Sequence, residues 1–227
     1  MSFSGPGGAN GSDELTVAWR DLVGAYAQSP EVDGVGQGLL ASWSEPHRRY
    51  HNTAHLSDVL SHADELADHA VDPAAVKLAA WYHDAVYAGR PDDEENSARR
   101  AETELAALGL SPALIAEVAR LVRLTATHDP RRGDRNGEAL SDADLSILAA
   151  PPDKYVAYAA AVRSEYAHLA DDVFSAGRAL VLHTLLEGPA VYRTPHARDQ
   201  WEARARCNLA EELQAHEGHL LGQWSRR

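Results

Sequence analysis

Apolar residues recur along most of this chain at intervals of three and four residues, the spacing of amphipathic α-helices, and no segment alternates like a half-buried strand. One such stripe predicts a helix over residues 52–70. Asp72-Pro73 and Ser111-Pro112 each place a capping side chain before a Pro at the first helical position, which predicts two more helix starts. Further helices are predicted near residues 14–28, 39–43, 94–108, 140–148, 153–169, 171–187 and 195–217. The predicted fold class is therefore an all-α helical bundle whose last three helices form a C-terminal extension.

The length of 227 residues suits one large domain. No internal repeat or linker interrupts the helical pattern, so residues 14–217 are predicted to form a single helical domain. The opening segment MSFSGPGGANGS lacks the basic and apolar stretches of a signal peptide, and residues 1–13 are expected to be a flexible tail. Residues 218–227 are expected to be a C-terminal tail.

Composition and charge narrow the classes of function. Apolar residues make up 44% of the chain and charged residues 24%, as in soluble globular proteins. No apolar run approaches the roughly 20 residues that span a bilayer. The net charge of −13 repels nucleic-acid backbones and anionic membranes, whereas a small anionic substrate is compatible with it if a metal reverses the local field. Cys207 is the only cysteine, so no intrachain disulfide can form. These features predict a cytoplasmic protein that binds neither a nucleic-acid polymer nor a membrane.

The chain contains two His-Asp pairs, and their contexts differ. His83-Asp84 lies in LAAWYHDAVY, a nearly all-apolar helix that must be buried on most sides. A buried carboxylate without compensation costs several kcal/mol, so this pair needs hydrogen-bond donors, a cation or a metal. His128-Asp129 instead ends a helix before a basic loop, where the Asp is expected to be solvated.

His55 and Asp144 are ligand-type residues on apolar stripes. His55 lies at the edge of the inward face of its helix. Asp144 falls on the buried stripe of the helix predicted over residues 140–148, whereas Asp142 points off that stripe and is expected near solvent in the first turn. The helical register thus selects Asp144 rather than Asp142. The other members of the stripe are Leu140, Ala143, Ile147 and Leu148.

Two imidazoles and two carboxylates make a mixed nitrogen and oxygen shell that suits a divalent transition metal, either one ion or two. Mn²⁺, Fe²⁺, Co²⁺, Ni²⁺ and Zn²⁺ all fit such a shell, and Ca²⁺ does not. Each residue also has a purely structural interpretation. Ser141 with Asp144 has the spacing of a capping box, His55 can be a boundary histidine, and His83-Asp84 can be a buried hydrogen-bonded pair.

The order H … HD … D resembles the HD phosphohydrolase superfamily, and more closely its predicted metal-dependent phosphohydrolase branch. The resemblance spans roughly residues 46–215 and is carried by RRYHNTAH, WYHDAVY, DDEENSA, SDADLSIL, VRSEY and ARCNLAEEL. It implies an HD-type helical bundle that hydrolyses phosphate esters or anhydrides of a small molecule, often a nucleotide. It also implies a metal bound by His55, His83, Asp84 and Asp144. Where the family pattern has Asn-Glu, this chain has Asp93-Glu94, so the role of Asp93 is open.

On this interpretation Asp84 binds the metal and orients a water, and Glu94 is a general acid or base. The structural alternative for Glu94 is an acidic first-turn residue that complements the helix dipole.

The predicted substrate-binding residues are Arg48, His51, Asn52 and His128. Arg48 is expected to receive a phosphate bidentately, and the alternative is that the segment before His55 is an ordinary surface loop. Two other functions stay open. An HD-type di-iron oxygenase would need additional ligands, for which His51 and His128 are the candidates. A non-catalytic HD module would bind only a metal or another ligand.

Overall fold

The structure is a computed structural model that describes residues 9–224, with side chains described for residues 11–220. Over that range the chain forms eleven α-helices and one 3-10 helix, without any strand, so the all-α prediction is confirmed. None of the helices described is both long and apolar enough to cross a membrane. The α-helices are α1 (Ala9–Gly24), α2 (Val32–Trp43), α3 (Thr53–Glu65), α4 (Pro73–Tyr82), α5 (Asp93–Ala107), α6 (Pro112–Leu124), α7 (Arg135–Asp144), α8 (Pro152–Glu165), α9 (Asp171–Glu187), α10 (Pro195–Gln200) and α11 (Glu202–Trp224), and the 3-10 helix is Leu145–Ala149.

Side-chain caps begin three of the helices in the first half of the chain. The Oδ1 atom of Asn52 accepts hydrogen bonds from the backbone N–H groups of Ala54 and His55, at 2.9 and 3.4 Å, and begins α3. Asp72 caps α4 and Ser111 caps α6, each followed by Pro at the first helical position. Both of these starts are those that the sequence predicts.

Helix α7 begins at Arg135, inside the basic loop that the sequence predicts after His128-Asp129. Gly137 makes this early start compatible with the packing. A Cβ atom at that position would lie 2.5 Å from Oδ2 of Asp134 and 2.7 Å from Cδ2 of Leu124, so a larger residue would clash. Asp134 also accepts a hydrogen bond from the Gly137 N–H at 3.1 Å. A glycine that resembles a turn signal in the sequence is therefore a close-packing residue in the first turn of a helix.

The ends of the chain contain more helix than predicted. Residues 9–13 of the expected N-terminal tail belong to α1, and residues 1–8 lie outside the described residues. Residues 218–224 of the expected C-terminal tail belong to α11, and residues 225–227 lie outside the described residues. The single helix expected over residues 195–217 is divided into α10 and α11.

The chain divides after Ala143 into two compact units. In the first unit α4 packs against α3 and α6, α5 packs against α6, and α1 packs against α2. Its core contains four large aromatic side chains that are at most 1% exposed, namely Trp19, Trp43, Trp81 and Tyr82. The prediction that residues 14–217 form a single domain stays a prediction.

The second unit is built around the packing of α9 against α11, and α11 also contacts the 3-10 helix. The side-chain amide of Asn208 donates to the carbonyl oxygens of Leu148 and Ala150, at 2.8 and 2.9 Å. Arg178 of α9 and Glu212 of α11 form an ion pair at 2.8 Å in which both side chains are nearly buried. The Asn208 hydrogen bonds attach the end of the 3-10 helix to α11, and the ion pair joins α9 to α11.

Candidate metal centre

Three of the predicted ligands lie together. His55 is in the first turn of α3, His83 follows the last residue of α4, and Asp144 is both the last residue of α7 and the first of the second unit. One ligand atom of each lies within 4.8 Å of the other two. His55 is 4% exposed, His83 is 1% exposed, and Asp144 is half-buried. The three side chains therefore form a largely buried cluster that can hold a metal ion.

Asp84 lies beside the two imidazoles and is not a member of the three-residue group. Its Oδ2 atom lies 3.3 Å from Nε2 of His83 and 4.0 Å from Nε2 of His55. The two Nε2 atoms are 3.3 Å apart. A point equidistant from three atoms with these separations lies about 2.1 Å from each, inside the range of roughly 2.0–2.2 Å for imidazole and carboxylate ligands of zinc. The spacing of the three atoms fits a divalent transition metal.

A hydrogen bond orients the His83 ring. Its Nδ1 atom lies 2.8 Å from the carbonyl oxygen of Ala80, which can only accept a hydrogen bond. Nδ1 therefore donates this hydrogen bond, and the Nε2 edge of the ring is turned towards His55 and Asp84. This arrangement is usual for histidines that bind metals, because the second nitrogen fixes the ring and its tautomer.

Trp43 forms an aromatic wall against both imidazoles. Its ring centroid is 5.3 Å from that of His83 and 6.1 Å from that of His55. The indole N–H donates to the carbonyl oxygen of Trp81 at 3.0 Å, which holds the end of α2 against α4. Nothing in the sequence marks this residue, because a buried Trp at a helix end is indistinguishable from ordinary core.

Glu94 lies in the first turn of α5, within electrostatic range of the cluster. Burial raises the pKa of its carboxyl group above the ordinary value. A backbone hydrogen bond and the charge of His83 lower the pKa, and the negative charges of Asp84 and Asp93 raise it, with a net increase. A half-buried carboxyl group with a raised pKa beside a candidate metal site is a candidate for acid–base chemistry.

Asp93 has a structural role that the sequence left open. Its Oδ2 atom accepts hydrogen bonds from the backbone N–H groups of Ala88 and Arg90, at 2.8 and 2.9 Å. The residue is 5% exposed, and its Oδ1 atom is buried without a hydrogen-bond partner. Asp93 therefore closes the loop between the His83-Asp84 pair and α5, directly beside Glu94.

Arg48 and His51 lie in the segment before α3. The Arg48 side chain is 0% exposed, and its Nη1 atom donates to the carbonyl oxygens of His51 and Asp84, at 3.1 and 2.8 Å. The His51 ring stacks on Tyr87 with centroids 4.3 Å apart, and is 5.7 Å from the His55 ring. The segment is thus packed against the residues of the cluster, and the phosphate contact predicted for His51 stays a prediction.

Asn52 is the N-cap of α3, and both ends of its side-chain amide are used locally. Oδ1 accepts from the first turn of the helix, and Nδ2 donates to the carbonyl oxygen of Arg49 at 2.9 Å. This cap orients the turn that carries His55. A contact between Asn52 and a substrate stays a prediction.

His128 lies beyond the end of α6 with φ +49°, in the left-handed region that non-glycine residues rarely adopt. Its Nδ1 atom is 3.4 Å from the hydroxyl oxygen of Ser141. It is not part of the three-residue group that brings His55, His83 and Asp144 together. Its predicted role as an additional ligand or phosphate donor stays a prediction.

The structure corrects two expectations about α7. Asp142 is 0% exposed, not near solvent, because α7 begins five residues earlier than predicted and places residue 142 in its last turn. The capping-box interpretation of Ser141 and Asp144 is also wrong, since both residues lie at the end of the helix. The choice of Asp144 as the ligand agrees with its place in the cluster.

Tyr158 of α8 lies within electrostatic range of Asp144 in the second unit. Burial is the largest cause that raises the pKa of its hydroxyl group, Arg178 lowers the pKa, and the charge of Asp144 contributes to the increase. The hydroxyl oxygen accepts a hydrogen bond from Nη2 of Arg178 at 3.2 Å. In the sequence, tyrosines at helical spacing in this region indicate only core packing.

Comparison of the chain with protein-family models, with curated proteins and with solved structures gave no match. The resemblance to the HD superfamily therefore stays an expectation carried by the motifs themselves.

Proposed function

We propose that this protein is a cytoplasmic metal-dependent hydrolase of the HD type, acting on phosphate esters or anhydrides of a small molecule, foremost a nucleotide. His55, His83, Asp84 and Asp144 would hold a divalent ion such as Mn²⁺, Fe²⁺, Co²⁺, Ni²⁺ or Zn²⁺. The observation that carries the proposal is the convergence of ligand atoms, with two Nε2 atoms 3.3 Å apart and Oδ2 of Asp84 3.3 Å from one of them.

A divalent ion held at this point would supply Lewis acidity towards a phosphoryl oxygen and would lower the pKa of a bound water. Glu94 is the protein group best suited to hold or move a proton beside it, because its pKa is raised and it lies in the field of Asp84 and His83. Acid–base catalysis is most effective when the pKa of the group is close to the working pH.

Charge favours a small substrate over a polymer. The chain carries 34 acidic and 21 basic residues, so a long polyanion is repelled over much of the surface, whereas a single phosphate needs one locally positive pocket. The contacts predicted for His51, Asn52 and His128 belong to this part of the proposal.

Elemental analysis of the purified protein is the first test, followed by a screen of nucleotides and sugar phosphates with Mn²⁺, Co²⁺, Ni²⁺ and Zn²⁺. His83→Ala should lose both the bound metal and turnover while the helices remain folded. His62→Ala is the matched control, because His62 lies on α3 with His55 but is paired with Glu65 at the surface. The control should keep both properties.

Three results would contradict the proposal. Wild-type protein without affinity for any of these ions would remove the metal centre. Efficient cleavage of RNA or DNA together with no turnover of small phosphates would remove the substrate class. Substrate-dependent O₂ consumption by an iron-loaded form would assign the site to the oxygenase chemistry instead.

A further inference from the structure

We infer that Arg48 is a positioning residue of the metal centre, which holds the turn containing Asp84 against the segment that leads into α3, and that it does not bind substrate phosphate. The inference rests on the proposed function in that it assigns a role within the same site. It replaces the phosphate-binding role that the sequence suggests.

The hydrogen bonds of Arg48 connect the two segments that carry ligands. Nη1 donates to the carbonyl oxygen of Asp84 at 2.8 Å and to that of His51 at 3.1 Å. Asp84 is itself a ligand, and His51 is one helical turn before His55. One nitrogen atom therefore joins the backbone of the α4–α5 connection to the backbone just before α3. The Nε atom donates to Glu45 at 3.1 Å and fixes the plane of the guanidinium.

Burial argues against a direct contact with a phosphate. The Arg48 side chain is 0% exposed, so none of its donors is open to a ligand from solvent. The guanidinium carbon lies 5.4 Å from the ring centroid of Trp43 and 5.3 Å from that of Tyr87. Nη2 is buried without a hydrogen-bond partner, and the faces of these two rings compensate part of its charge.

The same contacts show why Arg is required. A planar guanidinium can donate to two carbonyl oxygens, keep an ion pair through Nε and lie over aromatic faces at once. A Lys at this position keeps the positive charge but has one nitrogen and no planar face. Trp43, one of the two rings beneath Arg48, also packs against the imidazoles of His55 and His83. Displacement of Arg48 should therefore disturb both ligand-bearing segments.

The experiment compares Arg48→Lys with Arg49→Lys, the adjacent exposed arginine. The first measurement is the dissociation constant for Mn²⁺, obtained from the electron paramagnetic resonance signal of the free ion. Arg48→Lys should weaken binding about 10- to 100-fold, the range for loss of a partner that orients a metal ligand. The second measurement is amide hydrogen exchange of the metal-free protein in EDTA. The backbone amides of residues 84–88 and 51–55 should exchange faster in Arg48→Lys than in the wild type. In Arg49→Lys their exchange rates should be unchanged.

The outcomes separate this inference from the proposed function. If Arg48→Lys raises KM for the phosphate substrate while Mn²⁺ affinity and exchange stay at wild-type values, Arg48 binds substrate and the inference is overturned, but the hydrolase stands. If wild-type protein binds no metal, the proposed hydrolase function is contradicted. The exchange rates alone then decide whether Arg48 holds the two segments together. If Arg48→Lys does not fold, Glu45→Ala, which removes the acceptor of Nε at a half-exposed side chain, should weaken Mn²⁺ binding about two- to tenfold. An unchanged dissociation constant in that variant overturns the inference.

Discussion

Substitution of Asp144 with Asn should remove most of the stabilisation that a metal gives this protein. For wild-type protein at a metal concentration 100 times the dissociation constant, binding adds about 2.7 kcal/mol to the free energy of unfolding. In a chain of this size that raises Tm by about 5–11 °C. Loss of a direct ligand should weaken binding by about 100-fold or more, beyond the loss of an outer partner. The same metal concentration then adds only about 0.4 kcal/mol, or about 1 °C.

Asp142→Asn is the matched control, two residues away on the same helix. Asp142 is fully buried, so its substitution should lower the stability of the metal-free protein by about 1–3 kcal/mol through lost hydrogen bonding. The increase in Tm caused by the metal should nevertheless stay near 5–11 °C. Calorimetry of the three proteins in EDTA and in Mn²⁺ measures both quantities. A metal-induced shift that survives in Asp144→Asn and disappears in Asp142→Asn would refute the assignment of the ligand.

Three further predictions concern the surroundings of the site and the second unit. Asp93→Ala should lower the free energy of unfolding in urea by about 2–4 kcal/mol, because two hydrogen bonds to the charged carboxylate are lost, whereas Asp93→Asn, which keeps an acceptor, should cost less than about 1 kcal/mol. Glu94→Gln should lower kcat by about 10²- to 10⁴-fold in steady-state assays while Mn²⁺ affinity is unchanged. Glu212→Ala should cost about 3–5 kcal/mol at pH 7, because Arg178 would be left as a buried charge. Although burial raises the pKa of Glu212, hydrogen bonding from Arg178 holds it below the ordinary value of 4.5. Its stabilisation is therefore present above pH 4.5 and is lost as the pH falls through the lowered pKa, which urea unfolding between pH 7 and pH 3 can follow.

Local chemistry explains which elements the sequence predicts well. The starts of α4 and α6 depend on a capping side chain and the Pro that follows it, and both are visible within a few residues of sequence. The start of α7 is different. Asp134 caps it locally, but the surrounding Arg, Gly and Asn residues are typical of a loop. The close packing of Gly137 against Leu124, a residue of another helix, is made through space and leaves no signal in the local sequence.

The candidate site likewise contains some residues that the sequence could predict and others that it could not. His83 and Asp84 could be predicted because an ionisable pair inside an apolar helix needs compensation. The burial of Asp142 could not be predicted, because the error in the start of α7 changed its position in the helix. The packing of Trp43 against the imidazoles and of Arg48 on the Trp43 ring also escaped prediction. Neither residue has a sequence pattern that distinguishes packing around a site from ordinary packing in a core or loop.

The alternative that the sequence left open, a buried hydrogen-bonded His-Asp pair, can now be weighed by charge. One proton shared between the two Nε2 atoms, 3.3 Å apart, would account for the two imidazoles alone. The carboxylate of Asp84 lies 3.3 Å from one of those nitrogens, and a ligand atom of Asp144 lies within 4.8 Å of both imidazoles. Two carboxylates beside two imidazoles in a largely buried volume favour a bound cation, because buried negative charge is costly without one. A divalent ion would offset that charge and would accept lone pairs from both imidazoles and from carboxylates, which a single shared proton cannot do.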